Sequence, residues 1–446
     1  MSQGFDLKEK VINNFREFEN SLNGLAIGKD GKPGKIHSIR LEALKLFEEI
    51  GFPEFKSEEW KYTNIKPITQ KDFNQFPEKV SGIKEDIIHK YLIPGLDANI
   101  LVFINGKFSD KYSKIITKDK NVFIGSFREG LSKHKNIIEE HFSKYAKYKS
   151  DGFTALNTAY SIDGAFIYIP DKLEIKTPVH LVFISDTDNS DTLSQPRNLI
   201  VTGESSSLEI IESYFSSGSN FSFTNSVTEI YAGSNSRINH YKIQDENEQS
   251  YNVSTTQVSQ QKDSKYNSLT ITWGGSIVRN NHNSEFKGEN GECHFLGLFL
   301  AKDKELIDNH TLVDHAVPKC FSNEFYKGIL DDNSSGVFNG KIMVRKDAQK
   351  TNAYQSNKNI VLSRKATINS KPQLEIFADD VKCSHGATTG QLNPEEVFYL
   401  MSRGIGRRES EEMLLIAFAN DILENIKIEP LKEVLFNSLI NKLKKA

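Results

Sequence analysis

The sequence predicts a mainly β protein in which a long strand-rich core is flanked by helical segments at both ends. Three observations carry the prediction. From Asn99 onward the chain breaks into short runs of β-branched and aromatic residues separated by Gly, Asn, Asp and Ser. Between Pro196 and Pro318 there is no proline, as expected where each strand is paired on both edges and every N–H is needed in a ladder. Before Asn99 and after Pro394 the apolar residues recur instead at helical spacing. These shifts divide the chain into an N-terminal helical region with a linker (1–95), a β core (96–390) and a C-terminal helical region (391–446).

Val11, Phe15, Phe18 and Leu22 mark a first helix over 5–22, and 23–35, with its Gly, Lys and Pro33, reads as a linker. A second helix over 36–50 carries Ile39, Ala43, Leu46, Phe47 and Ile50 on one face and stops before Gly51-Phe52-Pro53. The polar segment FKSEEWKYTN follows, in which Trp60 and Tyr62 are aromatic anchors for this chain or for a partner. The linker motif GKDGKPGK invites a phosphate-loop reading, which fails because no Gly-Lys pair in the chain is followed by Ser or Thr.

In the core, runs beginning at Ile100, Ala165, Val179, Ser207, Ser226, Arg237 and Ser268 read as strands, as do 293–301, 306–313, 337–344, 360–363 and 373–378. So many strands exceed one sandwich and leave a solenoid, a propeller or a pair of sandwiches, with no fixed-period repeat to decide among them. Asn280, Asn281 and Asn283 suit side-chain ladders at solenoid turns.

At 446 residues, 37% hydrophobic and 26% charged, the chain has the composition of a globular protein. A net charge of −3 argues against a general nucleic-acid binder. The opening MSQGFDLKEKVINNF has no apolar leader, and no run approaches the ~20 apolar residues of a membrane span, so the cytoplasm is the expected compartment. Cys293, Cys320 and Cys383 include no C-x-x-C pair, which excludes a self-contained four-cysteine site. Cys293 and Cys320 read as small buried hydrophobes. His310, Asp314, His315 and Cys320 lie close in sequence, but a five-residue spacing in a strand puts the two histidines on opposite faces, which favours structural roles.

Chemistry concentrates in KPQLEIFADDVKCSHGATTGQLNPEEVFYLMSRGI, from Lys371 to Ile405. Asp379, Asp380, Cys383 and His385 fall together, and in extended chain Cys383 and His385 point to one face, about 7 Å apart at the backbone. A thiol and an imidazole so placed can reach one metal or sulfur species. Asn393 as N-cap, Pro394 at the first helical position and Glu395 and Glu396 on the positive end of the dipole then start a helix. Gly404 ends it. The next helix, with Met413, Leu414, Leu415, Phe418 and Ile422, has little polar face, and a third spans 431–443. Such surplus apolar surface suits either a helical cap packed on the chain's own β domain or a docking platform for another subunit, and the excess favours the platform.

The run ADDVKCSHGAT-x-GQL followed by FYL-x-SRGI resembles the C-terminal signature of the SufB/SufD family of iron–sulfur cluster assembly scaffolds, on its SufD side. R-x-x-A-x-x-x-F across Arg40 to Phe47, LVFINGKF, FTALNTA, QPRNLI and DNHTLVDHAVPKCFSNEFYKGIL resemble the same family. SufB is expected to carry a glutamate-rich run where this chain has Cys383-Ser384-His385. The resemblance implies a right-handed parallel β-helix and a non-catalytic scaffold that pairs with a SufB-like subunit. It also implies that a SufC-like ATPase docks on the helical tail, through Met413, Leu414, Leu415, Phe418 and Ile422, with a possible homodimer when the chain is isolated. No cofactor would be held stably by the chain alone. A transient Fe–S cluster would be shared with SufB, with His385 and Cys383 as candidate ligands at the interface. The rivals are a β-helix polysaccharide lyase or hydrolase, against which the lack of a leader argues, and a structural adaptor whose Cys383 and His385 are only packed residues.

Overall fold

A computed structural model of the chain describes residues 5–22, 33–55, 57–75, 83 and 85–444. Most of the predicted linker, 23–32, lies outside the described residues. The N-terminal region supplies α1 (Leu7–Asn13), α2 (Phe15–Ser21), α3 (Lys35–Ile50), α4 (Lys66–Thr69) and α5 (Glu85–Tyr91), so the first predicted helix is broken at Asn14. β1 (Asn99–Ile104), β2 (Lys107–Phe108) and β3 (Phe123–Ser126) open the β region. α6 (Phe127–Lys133), α7 (Lys135–His141) and α8 (Gly152–Ala159) interrupt it, before β4 (Ala165–Ile169), β5 (Val179–Asp186), β6 (Thr192–Ser194) and β7 (Arg197–Thr202). The segment FTALNTA is therefore helical inside the strand-rich region, with Asp151 capping it by accepting the Thr154 N–H at 2.9 Å.

The long strands follow without interruption. They are β8 (Ser207–Ser217), β9 (Ser222–Ala232), β10 (Arg237–Asp245), β11 (Ser250–Gln260), β12 (Lys265–Thr272), β13 (Ile277–Phe286) and β14 (Glu292–Ala301). The rest are β15 (Leu306–His315), β16 (Phe321–Leu330), β17 (Ser335–Val344), β18 (Asn352–Val361), β19 (Thr367–Ile376) and β20 (Lys382–Gly390). Even-numbered strands from β8 pair in parallel in one sheet and odd-numbered ones in the other, so the chain winds through both sheets once per coil. This is a parallel β-solenoid, and it settles the choice left open among solenoid, propeller and paired sandwiches.

Within it, every strand from β7 to β18 has a neighbour on both sides, which accounts for the proline-free stretch. Pro372 obeys the same rule from the other direction, because it sits in β19, the last strand of its sheet. The predicted strand at 360–363 is corrected: β18 covers 352–361, and Leu362 and Ser363 lie in the turn beyond it.

Apolar rings such as Tyr214, Tyr266, Phe295, Tyr326 and Phe338 fill the interior. Polar groups are buried there in pairs, as they must be. His240 Nε2 lies 2.9 Å from Glu212 Oε2, and Arg197 Nη2 donates to Glu229 at 2.5 Å with both residues fully buried. The tail forms α9 (Pro394–Ser402), α10 (Arg407–Leu423) and α11 (Glu429–Lys444). α10 and α11 lie on the outer face of the even-numbered sheet, where Leu415, Ala419, Ile422, Leu435 and Leu439 meet Tyr241, Ile243, Leu269, Trp273 and Leu298. Lys327, buried in β16, ties the two together by donating to the Phe418 carbonyl at 2.7 Å and pairing with Asp421.

Candidate functional site

The signature stretch forms the end of the solenoid. β20 pairs with β18 on one side and with nothing on the other among the described residues, and β19 likewise ends its sheet on β17. The site therefore sits on the last coil, whose free edges carry unpaired main-chain groups. Cys383 stands beside Ala353 and His385 beside Gln355 in the β18–β20 ladder. Strand alternation puts both on the same, inward face. Cys383 is half-buried against the cluster of Ile342, Val344, Ala348 and Ala353, and burial pushes its thiol up. His385 is exposed, because no further coil covers it. Beside Gly386 there is open space, so another backbone has room to approach. The Asp380 main chain belongs to the preceding turn, where its N–H donates to Gln349 Oε1 at 2.9 Å.

Below this coil lies a feature that no motif announced. Glu324 in β16, Gln355 in β18 and His385 in β20 occupy one column of the ladder. Glu324 is fully buried, accepts from the Thr311 hydroxyl and from Gln355 Nε2 at 3.2 Å, and burial pushes its carboxyl up to about 7. The signal was present as spacings of 31 and 30 residues between the three.

The other candidate cluster does not assemble. His315 is buried inside against Phe286, with its Nε2 2.9 Å from Ser322 Oγ, whereas His310 faces outward with its Nε2 3.0 Å from Asp308 Oδ1. Cys293 and Cys320 are 1% exposed, and burial raises both thiols, that of Cys320 to about 11. Among the described residues no group of three or more His, Cys, Asp and Glu is arranged to hold a metal ion.

On the tail, Leu415 and Ile422 point into the chain's own sheet, which withdraws them from any docking surface. Met413 is exposed, and Leu414 and Phe418 are partly buried. The uncovered apolar surface lies mainly on α9, where Phe398 and Tyr399 are 70% and 55% exposed, with Met401 beside them. A cleft of about 660 Å³ separates α9 from α10, lined by Val397, Phe398, Met401, Arg407, Arg408 and Glu411 among others. At the other end Trp60 docks on its own chain: it is buried against Phe153, with ring centroids 5.1 Å apart. No described helix is long and apolar enough to cross a membrane.

Two family models match the chain, the SufBD protein N-terminal region over residues 11–181 and the SufBD core domain of SUF-system FeS cluster assembly over 183–418. An iron–sulfur cluster assembly SufBD family protein of Synechocystis is 34% identical over 404 residues, covering 88% of each chain. The iron–sulfur cluster assembly protein SufD of Escherichia coli is 28% identical over 86% of this chain and 87% of its own. That of Bacillus subtilis is 25% identical over 93% and 96%.

Proposed function

Since the chain belongs to the SufBD family of iron–sulfur cluster assembly proteins, we propose that it serves cluster assembly as a non-catalytic scaffold, pairing with a SufB-like subunit and carrying a SufC-like ATPase. The observation that carries this reading is the open last coil. Among the described residues nothing pairs with the outer edges of β19 and β20, although natural sheets blunt or cover such edges. The residues able to bind iron stand on one of these edges. A partner coil laid against β19 and β20 would continue both sheets and seal the lumen over Cys383 and His385. The partner would also supply the ligands that this chain lacks.

In this reading the nascent cluster is cargo, and His385 is its ligand from this side. Cys383, half-buried and held protonated by its surroundings, ligates only if docking or cluster delivery draws it out. The ATPase docks on the exposed faces of α9 and the start of α10 through Phe398, Tyr399, Met401 and Met413, with Leu414 and Phe418 at the margin. ATP hydrolysis by that subunit rearranges the pair, and this chain contributes no nucleotide chemistry.

Co-purification from the native cell tests the reading. The chain should emerge with two partners, one of them an ATPase, and the assembly should carry iron and acid-labile sulfide. Recovery of the chain alone, free of both, would contradict it.

A further inference from the structure

The column beneath His385 ends on unmet hydrogen-bonding groups. Glu324, Gln355 and His385 are consecutive neighbours in a parallel ladder, so their backbones step upward by about 4.8 Å each and their side chains stack on one face. Gln355 is 3% exposed and gives its amide N–H to Glu324 Oε2 at 3.2 Å. Only the NH₂ end of an amide can donate, so Glu324 in its ionised form, which only accepts, fixes which way the amide lies. Its carbonyl oxygen is then turned elsewhere, and Gln355 Oε1 is buried with no hydrogen-bond partner. The opposite sheet makes room for this arrangement: a Cβ on Gly340 would stand 2.4 Å from Gln355 Nε2. A buried acceptor left unpaired is costly, and the next side chain in its column is an imidazole.

We propose that Gln355, backed by Glu324, is a positioning residue for His385: its carbonyl oxygen accepts one ring N–H of the imidazole and so fixes the tautomer, leaving the other ring nitrogen bare and facing the open end. The arrangement is a carboxylate–amide–imidazole relay, related to the carboxylate–histidine pairs that orient metal-bound histidines. An unsupported imidazole on an exposed strand samples both tautomers and several rotamers, and only some of these present a lone pair outward. Held from below, His385 meets its cargo already aligned. The usefulness of this device rests on the reading of His385 as a cluster ligand, but the tautomer itself does not.

Histidine-selective ¹⁵N labelling of the full chain reports the tautomer through the two ring-nitrogen shifts, with the His385 signals assigned by their loss in His385→Ala. One tautomer should dominate in the parent chain. Gln355→Leu, similar in size and without an acceptor, should shift the ratio to that of a freely solvated histidine side chain, measured beside it on an unstructured peptide. The double variant Glu324→Gln/Gln355→Glu, which exchanges the carboxylate and the amide, should restore a single form by placing an acceptor directly under the ring. In the assembled complex, Gln355→Leu should lower the affinity for cluster by about 10- to 100-fold. An unchanged tautomer ratio in Gln355→Leu overturns the proposal. Should Gln355→Leu fail to fold, the double variant decides alone: a mixed population there, in a chain that melts as the parent does, overturns it equally. Failure of His385→Ala to reduce cluster would instead remove the ligand role and leave the tautomer result standing.

Discussion

The guanidinium of Arg279 lies 4.2 Å from the centre of the Trp60 ring, while its Nη1 donates to Asp308 at 2.6 Å and to the Glu59 carbonyl at 2.8 Å. Arg279 and Asp308 belong to β13 and β15 of the solenoid, so one stacked cation clamps the N-terminal segment onto the outer face of the odd-numbered sheet. Thr63 adds a hydrogen bond to the same carboxylate at 2.5 Å; burial alone would push the Asp308 carboxyl up, but the charge of the Arg279 guanidinium, with His310 and Thr63, outweighs it and holds the group well below the usual carboxylate range. Trp60→Ala removes a buried ring and strands that ion pair. It should cost about 3 kcal/mol of stability and expose the segment around 55–75 to limited proteolysis while the coil from β8 onward stays intact. Proteolysis followed by mass spectrometry checks this, and a parent-like digestion pattern would show that the clamp is not needed.

A carboxyl whose pKa is raised by burial makes stability fall as pH rises. Glu246 is fully buried, accepts from Asn252 Nδ2 at 2.7 Å, lies near Lys242 and Asp245, and is pushed up to about 7 by burial. Between the unfolded carboxyl pKa, near 4.3, and about 7 the unfolded chain has released its proton and the folded chain has not. Unfolding is therefore favoured progressively through that window, and the penalty is complete above it. Glu246→Gln should gain on the order of 1–3 kcal/mol relative to the parent at pH 8 and almost nothing at pH 4.5. Denaturant titrations at the two pH values test this; a gain confined to the acid side would contradict the assignment.

Cutting the chain after Gly404 is a poor way to find the ATPase site, because α10 and α11 cover Tyr241, Leu269, Trp273 and Leu298 and their loss would bare an apolar sheet face. Phe398→Asp and Met413→Asp are the cleaner probes. Both side chains are exposed, so each variant should stay within about 0.5 kcal/mol of the parent in stability. Each should reduce co-purification of the ATPase by tenfold or more if the platform is where we place it. Unimpaired capture by the double variant would move the interface elsewhere.

The purified chain should show no nucleotide turnover, since no Gly-Lys pair is followed by the Ser or Thr that a phosphate loop needs. Turnover that persists through further purification and follows the chain's own elution profile would refute the scaffold reading.

The helical ends and the strand-rich middle were legible because their periods differ and because proline is absent where strands are doubly paired. The coil was harder to see. Ser222 pairs with Ser250, Tyr251 with Ile277 and Glu324 with Gln355, giving coils of 28, 26 and 31 residues that blur any fixed repeat. What recurs is a left-handed backbone position at one corner: Ser205, Asn235, Asp263, Asn290, Lys319 and Lys350 all have positive φ. Polar small residues lead that series, as αL sterics favour, and Asn235 bonds Ser205 and Asn290 bonds Asp263 across successive coils. Strands such as β11, with the sequence SYNVSTTQVSQ, escaped notice because buried hydroxyls and amides are satisfied by neighbouring coils rather than by water. The pairing of Cys383 and His385 on one face was readable from a two-residue spacing. Gln355 and Glu324 were not, because their relation to His385 is set by coil length and belongs to the tertiary fold. The all-apolar look of α10 was misleading for a similar reason: Leu415 and Ile422 serve the chain's own sheet.

The proposed role of His385 is to meet a nascent cluster at the open end of the chain. The most direct measurement is iron and acid-labile sulfide bound to the reconstituted complex carrying His385→Ala, beside the unmodified complex, with subunit stoichiometry measured on the same samples. Intact stoichiometry with cluster content reduced severalfold is the expected result. Cluster that accumulates on the variant at the unmodified rate and amount would contradict it and leave His385 as an interface residue only.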